Sequence, residues 1–257
     1  MSRIVLKFGT GVLSRLDGRA LDAAQFRRIA DEVSVLVRSG KSVVIVSSAA
    51  IAAGIPVLGL SKRPDDLPGK QACAAAGQPE LMRMWSTAFR RHGLNVAQML
   101  LTHEDVDSRM RRKNARNTIE RLLGSHEIIP IVNENDSVAV EELRFGDNDR
   151  LSAEVALLVR AKRLIILTSS NGLTDNTGRR LPIIRKMEDA LRHVRPEKGA
   201  LSVGGMKTKL EAVQLALSGN IPVSIIDGKK RGQIAEAAVF GDVGTRFPVP
   251  RAPRKAS

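Results

Sequence analysis

The chain has 257 residues, 43% of them hydrophobic, and carries 41 Lys and Arg against 27 Asp and Glu, a formal net charge of +14. The apolar content is ample for a core and the length suits one large α/β domain, so a single folded domain over residues 1–246 is expected, followed by a basic Pro-containing tail, 247–257. No run of about 18 apolar residues is present to span a bilayer, and MSRIVLKFG enters a strand pattern rather than a signal-peptide core, which together predict a cytoplasmic protein without a membrane partner.

In chain order, the first apolar run is Ile4 to Phe8, IVLKF, and it ends in Lys7-Phe8-Gly9-Thr10-Gly11. Two glycines at a strand end let backbone N–H groups approach an anion closely, and the lysine adds a mobile charge suited to phosphate. The segment is neither a Walker loop nor GxGxxG. Phe26, Ile29, Ala30, Val33, Leu36 and Val37 then recur at helical spacing before Gly40, where a C-terminal helix glycine belongs. The strand-like run Val43 to Val46 leads into Ser47-Ser48-Ala49-Ala50, with Ser48 and free N–H groups at a helix start. That is a second anion cradle, although an ordinary Ser cap on an Ala-rich helix reads the same way. Cys73 is the only cysteine, so there is no disulfide framework or cysteine metal cluster, and its setting QACAAAG suggests a small buried helix residue.

A third apolar run, Val96 to Leu101, precedes a helix-like stretch from Arg109 to Leu123 with few apolar positions and six cations: Arg109, Arg111, Arg112, Lys113, Arg116 and Arg121. The cluster holds no aromatic residue on which bases could stack, so a solvated helix face is favoured over a nucleic-acid site. The fourth run, Ile128 to Val132, feeds Asn133-Glu134-Asn135-Asp136, and a second polar cluster, Gly146-Asp147-Asn148-Asp149, precedes helical periodicity over Leu151 to Val159. Asp accepts hydrogen bonds and Asn both donates and accepts, so the pair of clusters suits a ligand bearing an ammonium and a carboxylate, such as an amino acid. Asx-rich turns with a helix cap account for the same residues locally. After a fifth run at Leu164 to Leu167, Leu201 to Lys209 forms a glycine-rich turn opening a helix that runs to Ser218-Gly219-Asn220. Lysines in its first turn oppose the helix dipole, which points to an anion there. Val223 to Ile226 is the last apolar run.

Short runs that are hydrophobic on both faces, alternating with helices, are the signature of a mostly parallel sheet covered on both sides. Ligands of such sheets bind beyond the carboxyl ends of the strands, where the strand-end lysine, the two helix starts and the acid-amide loop can converge. Lysines and backbone amides around spreading negative charge suit phosphoryl transfer.

Taken together, KFGTG, VSSAAIAAG, NARNTI, PIVNENDSVA, FGDNDRLSA and GGMKTKL resemble the amino acid kinase family, and within it the branch that phosphorylates the γ-carboxylate of glutamate. NEND followed by GDND sets that branch apart from relatives acting on uridylate, carbamate or acetylglutamate. The resemblance implies a three-layer αβα sandwich with a mostly parallel open sheet. It also implies L-glutamate and ATP as substrates, Mg²⁺ as cofactor, and a homo-oligomer. By motif, Lys7 and Lys209 would stabilise the transferring phosphoryl group and Asp149 would hold them in position. Ser48, Asp136 and Asn148 would bind glutamate. Lys7, Gly9, Thr10 and Gly11, with Ser169 and Ser170 and with Val203, Gly204, Gly205, Met206, Lys207, Thr208 and Lys209, would line the nucleotide site. Three positions depart from the family pattern: Ala49 replaces a glycine, Ser169 an aspartate and Lys207 a small residue. Many members carry a C-terminal RNA-binding-like PUA domain, for which this length leaves no room. The competing expectations are a basic RNA- or polyanion-binding protein that keeps the kinase fold, and a kinase of the same family acting on another small acid.

Overall fold

The computed structural model describes residues 2–138, 148–193 and 205–250. Each of the six apolar runs forms a strand: β1 (Arg3–Phe8), β2 (Ser42–Ser47), β3 (Asn95–Leu101), β4 (Ile128–Glu134), β5 (Arg163–Thr168) and β6 (Val223–Asp227). Their registers are parallel throughout, and a seventh strand, β7 (Thr245–Phe247), pairs antiparallel with β6. The sheet order is β3-β4-β2-β1-β5-β6-β7. This is the expected mostly parallel open sheet. β7 went unforeseen because a three-residue strand is too short to show a period; it carries Phe247, one residue past the expected domain end at Arg246, into the core at 1% exposure.

Successive side chains of a strand face opposite sides, and the two sides bury separate apolar clusters. Ile4, Leu6 and Phe8 pack on the side covered by α1 (Thr10–Leu13), α2 (Ala23–Arg38), α3 (Ala50–Val57) and α4 (Leu67–Arg90). Val5 faces the other side, under α6 (Arg109–Leu123), α7 (Asn148–Leu158) and α9 (Met206–Ser218). Short helices α5 (His103–Asp107), α8 (Met187–Leu191) and α10 (Gln233–Ala238) complete the two layers. The three-layer αβα sandwich is therefore present. Lys7, two residues after Val5, shares the α7 and α9 side.

The helix ends follow local chemistry. Asp22 caps α2 by accepting from the Ala24 N–H, and beyond Arg38 the Gly40 N–H reaches the Val37 carbonyl while Lys41 N–H reaches Leu36. This two-bond C-terminal closure needs a left-handed residue, and Gly40 supplies it at φ +80°. Helix α6 buries only Ala115, Ile119 and Leu123, so its cations stay at the surface as its sparse apolar pattern predicts. Among the described residues, no helix is long and apolar enough to cross a membrane.

On the first face, Trp85 of α4 is fully buried among Phe8, Phe26 and Phe89, with ring centroids 5.6, 4.6 and 5.8 Å away. Its indole N–H donates to Ser47 Oγ at 3.0 Å, satisfying the one polar group the ring takes into the core. Helices α3 and α4 pack backbone to backbone. A Cβ on Gly54 would stand 1.9 Å from the Cys73 carbonyl oxygen, and one on Gly77 would stand 1.9 Å from that of Ala50. Cys73 is the small buried helix residue expected from its sequence setting.

Gly54→Ala is expected to destabilise the protein by about 3 kcal/mol, because the added methyl meets backbone rather than a movable side-chain end. Urea unfolding measures this; a change within about 0.5 kcal/mol of wild type would show that the two helices separate freely.

Candidate functional site

The carboxyl ends of the central strands lie side by side because the strand order places β4, β2, β1 and β5 in succession. Backbone hydrogen bonds then bind one loop to the next: Ser48 N–H to the Phe8 carbonyl, Gly9 N–H to Leu167, and Gly228 N–H to Thr168. The loops after all these strands therefore form one row. Gly11 sits in that row beside Ser169, whose Oγ would lie 3.7 Å from a Cβ on Gly11.

At the centre is Asp149, in the first turn of α7 and only 1% exposed. One carboxylate oxygen accepts from Lys7 Nζ at 2.5 Å; the other accepts from Lys209 Nζ at 3.2 Å and Thr208 Oγ1 at 3.0 Å. Lys7 and Lys209 are themselves 4% and 7% exposed. Burial pushes the Asp149 carboxyl upward, but the Lys7 and Lys209 charges and the hydrogen bonds from Lys7 and Thr208 outweigh it, holding the group below its ordinary value. Two ammonium groups from opposite ends of the sequence are thus kept together by one carboxylate. This also refines the reading of the lysines at the start of α9: Asp149 already balances Lys209, while Lys207 points to solvent.

Asn148, next to Asp149 and 9% exposed, belongs to a chain of carboxamides. Its Nδ2 donates to Asn133 Oδ1 at 3.0 Å, and its Oδ1 accepts from the Glu134 N–H at 3.3 Å. Asn133 Nδ2 donates to Gln78 Oε1 at 2.9 Å, and Gln78 Nε2 to Gln98 Oε1 at 2.9 Å. Asp136 is half-buried on the same loop. Burial pushes the nearby Arg63 guanidinium below the ordinary arginine value, with Asp136 the main acid opposing that shift. Ser48 lies on the neighbouring loop, after β2. It does not cap α3; the cap position is Ala49, which makes no side-chain cap bond. Of the two readings of Ser48, the ordinary helix cap is thus not the one found, the cap position falling one residue later. Ala49 adopts φ 88°, the left-handed region that a β-carbon disfavours, a position that glycine would occupy without strain.

Gly9 caps α1, and Thr10 and Gly11 open that helix. Gly205 caps α9 without a side-chain bond, Thr208 Oγ1 also lies 3.0 Å from the Gly205 carbonyl, and Met206 packs partly against the second core cluster. Ser169 and Ser170 are exposed just beyond β5. Val203 and Gly204 lie outside the described residues. Sequence reasoning missed Gln78 and the role of Asn133. The only signal was a lone carboxamide in the small-residue stretch CAAAGQPEL, which periodicity cannot distinguish from a surface position.

An α/β sheet with paired lysines on a buried carboxylate at its strand ends suits proteins of a phosphoryl-transfer class. The amino acid kinase family model matches residues 2–227, and the chain belongs to that family. It is similar to the glutamate 5-kinases of Thermus thermophilus, with 45% identity over 251 residues, and of Nocardia farcinica, with 43% over 251. Each match covers 95% of this chain and 67% of the relative. The glutamate 5-kinase of Pelobacter propionicus is 42% identical over 254 residues, covering 96% and 68%. The chain thus spans about two thirds of the length of these relatives.

Asp149→Asn is expected to cost about 3–5 kcal/mol of stability at neutral pH, since it removes a buried counter-charge shared by two buried ammonium groups. The folded pKa lies below the ordinary 3.8, so the carboxylate's contribution is complete above pH 3.8 and is lost as pH falls through the folded value. Urea melts of both forms should show a gap that is constant above this window and narrows below it. No gap at neutral pH, or one that fails to narrow, would contradict the pairing.

Proposed function

We propose that the protein is a glutamate 5-kinase, transferring the ATP γ-phosphoryl group to the γ-carboxylate of L-glutamate to give glutamyl 5-phosphate, the first step of proline biosynthesis. The observation that carries this reading is the buried Asp149 holding Lys7 and Lys209 together at the strand ends, beside a loop rich in amides and carboxylates. Family membership and the glutamate 5-kinase relatives support the same choice of acceptor.

In the reaction a γ-carboxylate oxygen bonds to the γ-phosphorus as the bond to the β–γ bridging oxygen breaks and ADP departs. No general base is needed, because the γ-carboxylate is ionised at neutral pH. The task for the protein is positioning and charge stabilisation. Lys7 and Lys209 meet the negative charge that spreads over the phosphoryl oxygens and the leaving oxygen. Asp149 keeps both lysines extended into the site and offsets their mutual repulsion. Ser48, Asp136 and Asn148 bind glutamate, Asp136 as the acceptor for its ammonium and Asn148 as donor and acceptor for its polar groups. Gly9, Thr10 and Gly11 at the α1 start, Gly205 with Met206, Lys207, Thr208 and Lys209 at the α9 start, Val203 and Gly204 before it in the sequence, and Ser169 with Ser170 form the nucleotide side. Lys207 adds a cation where the family has a small residue.

The described residues hold no cluster of three or more His, Cys, Asp or Glu suited to caging a metal, and both Asp149 oxygens already accept from lysines and Thr208. This donor set fits a Mg²⁺ that would be carried by the ATP phosphates, where it would supply charge neutralisation.

Hydroxylamine trapping is expected to yield γ-glutamyl hydroxamate only when glutamate, ATP and magnesium are all supplied. Hydroxamate formed equally without glutamate would overturn the assignment of the acceptor.

Lys7→Ala and Lys209→Ala should each lower kcat by about a hundredfold or more with smaller changes in KM, because a cation on the path of charge movement gains most in the transition state. Asp136→Ala and Asn148→Ala should instead raise the glutamate KM and leave the ATP KM nearly unchanged. Near wild-type kcat in both lysine variants would refute the site.

A further inference from the structure

The acceptor side of the site is built from two loops that do not touch the same part of the chain, yet one turn of α4 reaches both. Gly77 lies against the first turn of α3, so close that a Cβ would stand 1.9 Å from the Ala50 carbonyl and 2.4 Å from the Gly54 N–H. That contact sets where α3 begins, and Ser48 and Ala49 lead directly into it. The next residue, Gln78, is 8% exposed, and its Oε1 accepts from Asn133 Nδ2 at the end of β4.

The carboxamides from Asn148 outward have a single sense. Asn148 Nδ2 donates to Asn133, Asn133 Nδ2 donates to Gln78, and Gln78 Nε2 donates to Gln98 on the exposed edge strand β3. Asn133 Oδ1 has no capacity left, since it accepts both from Asn148 and from the Glu134 N–H at 2.9 Å. The Asn133 side chain is 1% exposed, so its N–H group depends on Gln78 for an acceptor. Deprived of that acceptor, a buried donor costs more than its hydrogen bond contributes, and the cheapest relief is for Asn133 to turn towards water. Turning it removes the oxygen that holds Asn148.

We propose that Gln78 is a positioning residue of the acceptor site: it touches neither substrate, and it fixes Asn133 and through it the orientation of Asn148. The proposal rests on the reading of Asn148 as an acceptor-binding residue. The α4 turn Gly77-Gln78 then aligns the Ser48 loop and the Asn148 amide with respect to one another, by a steric contact on one side and a hydrogen bond on the other.

The test is steady-state kinetics on the full chain, with L-glutamate and ATP varied in turn, for wild type, Gln78→Met, Gln78→Glu, Asn148→Ala and the double variant Gln78→Met/Asn148→Ala. Gln78→Met keeps length and volume but offers no acceptor, and the glutamate KM is expected to rise about tenfold with the ATP KM unchanged. Gln78→Glu keeps an acceptor for Asn133, and the exposed Gln98 can turn its amide to donate, so this form should stay within about threefold of wild type. In the double variant the Gln78 change should add little to the effect of Asn148→Ala, because it acts through that residue. Should Gln78→Met fail to fold, Gln78→Asn, too short to reach Asn133, is read in its place.

A glutamate KM unchanged in Gln78→Met, equal losses toward both substrates, or full additivity in the double variant would each overturn the proposal; a merely structural role predicts lowered thermal stability without the KM split. A wild-type enzyme that makes no hydroxamate from glutamate would instead overturn the functional reading, which keeps the two failures distinct.

Discussion

The site depends on a buried carboxylate that must stay ionised. Two lysine ammonium groups this close together repel, and each loses hydration on burial, so an anion set between them offsets much of the cost of bringing them together. Asp149 supplies it from the first turn of α7, where the helix dipole also favours an acid. The partners come from β1 and the start of α9, so the cluster exists only when the sheet, α7 and α9 are docked. Folding and active-site charge are the same event at this point. Asp149 keeps two lysine ammonium groups together in a poorly hydrated place, an arrangement suited to the charge of a transferring phosphoryl group.

The opposite layer reaches the same strand ends through α4. Trp85 anchors α4 to the sheet by its ring contacts and by its bond to Ser47, and the glycine contacts with α3 allow the two helices to approach to backbone distance. α4 can then carry a carboxamide into the strand-end row without a flexible loop. A supporting group mounted on packed helices and held by further hydrogen bonds keeps its geometry better than one on a free turn. The strain at Ala49 shows the same preference: a left-handed alanine is retained where the turn from β2 into α3 must be tight, and the surrounding packing holds it there.

Much of this was legible in the sequence. Strands buried on both faces appear as uninterrupted β-branched runs, so all six parallel strands could be read, and helix periodicity with Gly40 behind it marked α2. Lys7, Asp149 and Lys209 stand in motifs whose combination is specific enough to suggest a family, and the structure places the three within hydrogen-bonding distance. By contrast β7 was invisible, because three residues carry no period, and Phe247 is core only through its pairing with Val223.

Local chemistry was decided within short stretches of chain: strand or helix, cap or turn, the residue types able to meet phosphate or an amino acid. Tertiary structure alone decided which of those groups meet. Lys7 and Asp149 are 142 residues apart and Lys209 a further 60, and no periodicity encodes that one carboxylate pairs with both lysines. Gln78 is the sharper case. In the sequence it is a polar residue beside a run of alanines, as suited to solvent as to a core; the close crossing of α3 and α4 at Gly54 and Gly77 accompanies its burial, and there its amide finds partners in Asn133 and Gln98, which only the tertiary structure brings within reach.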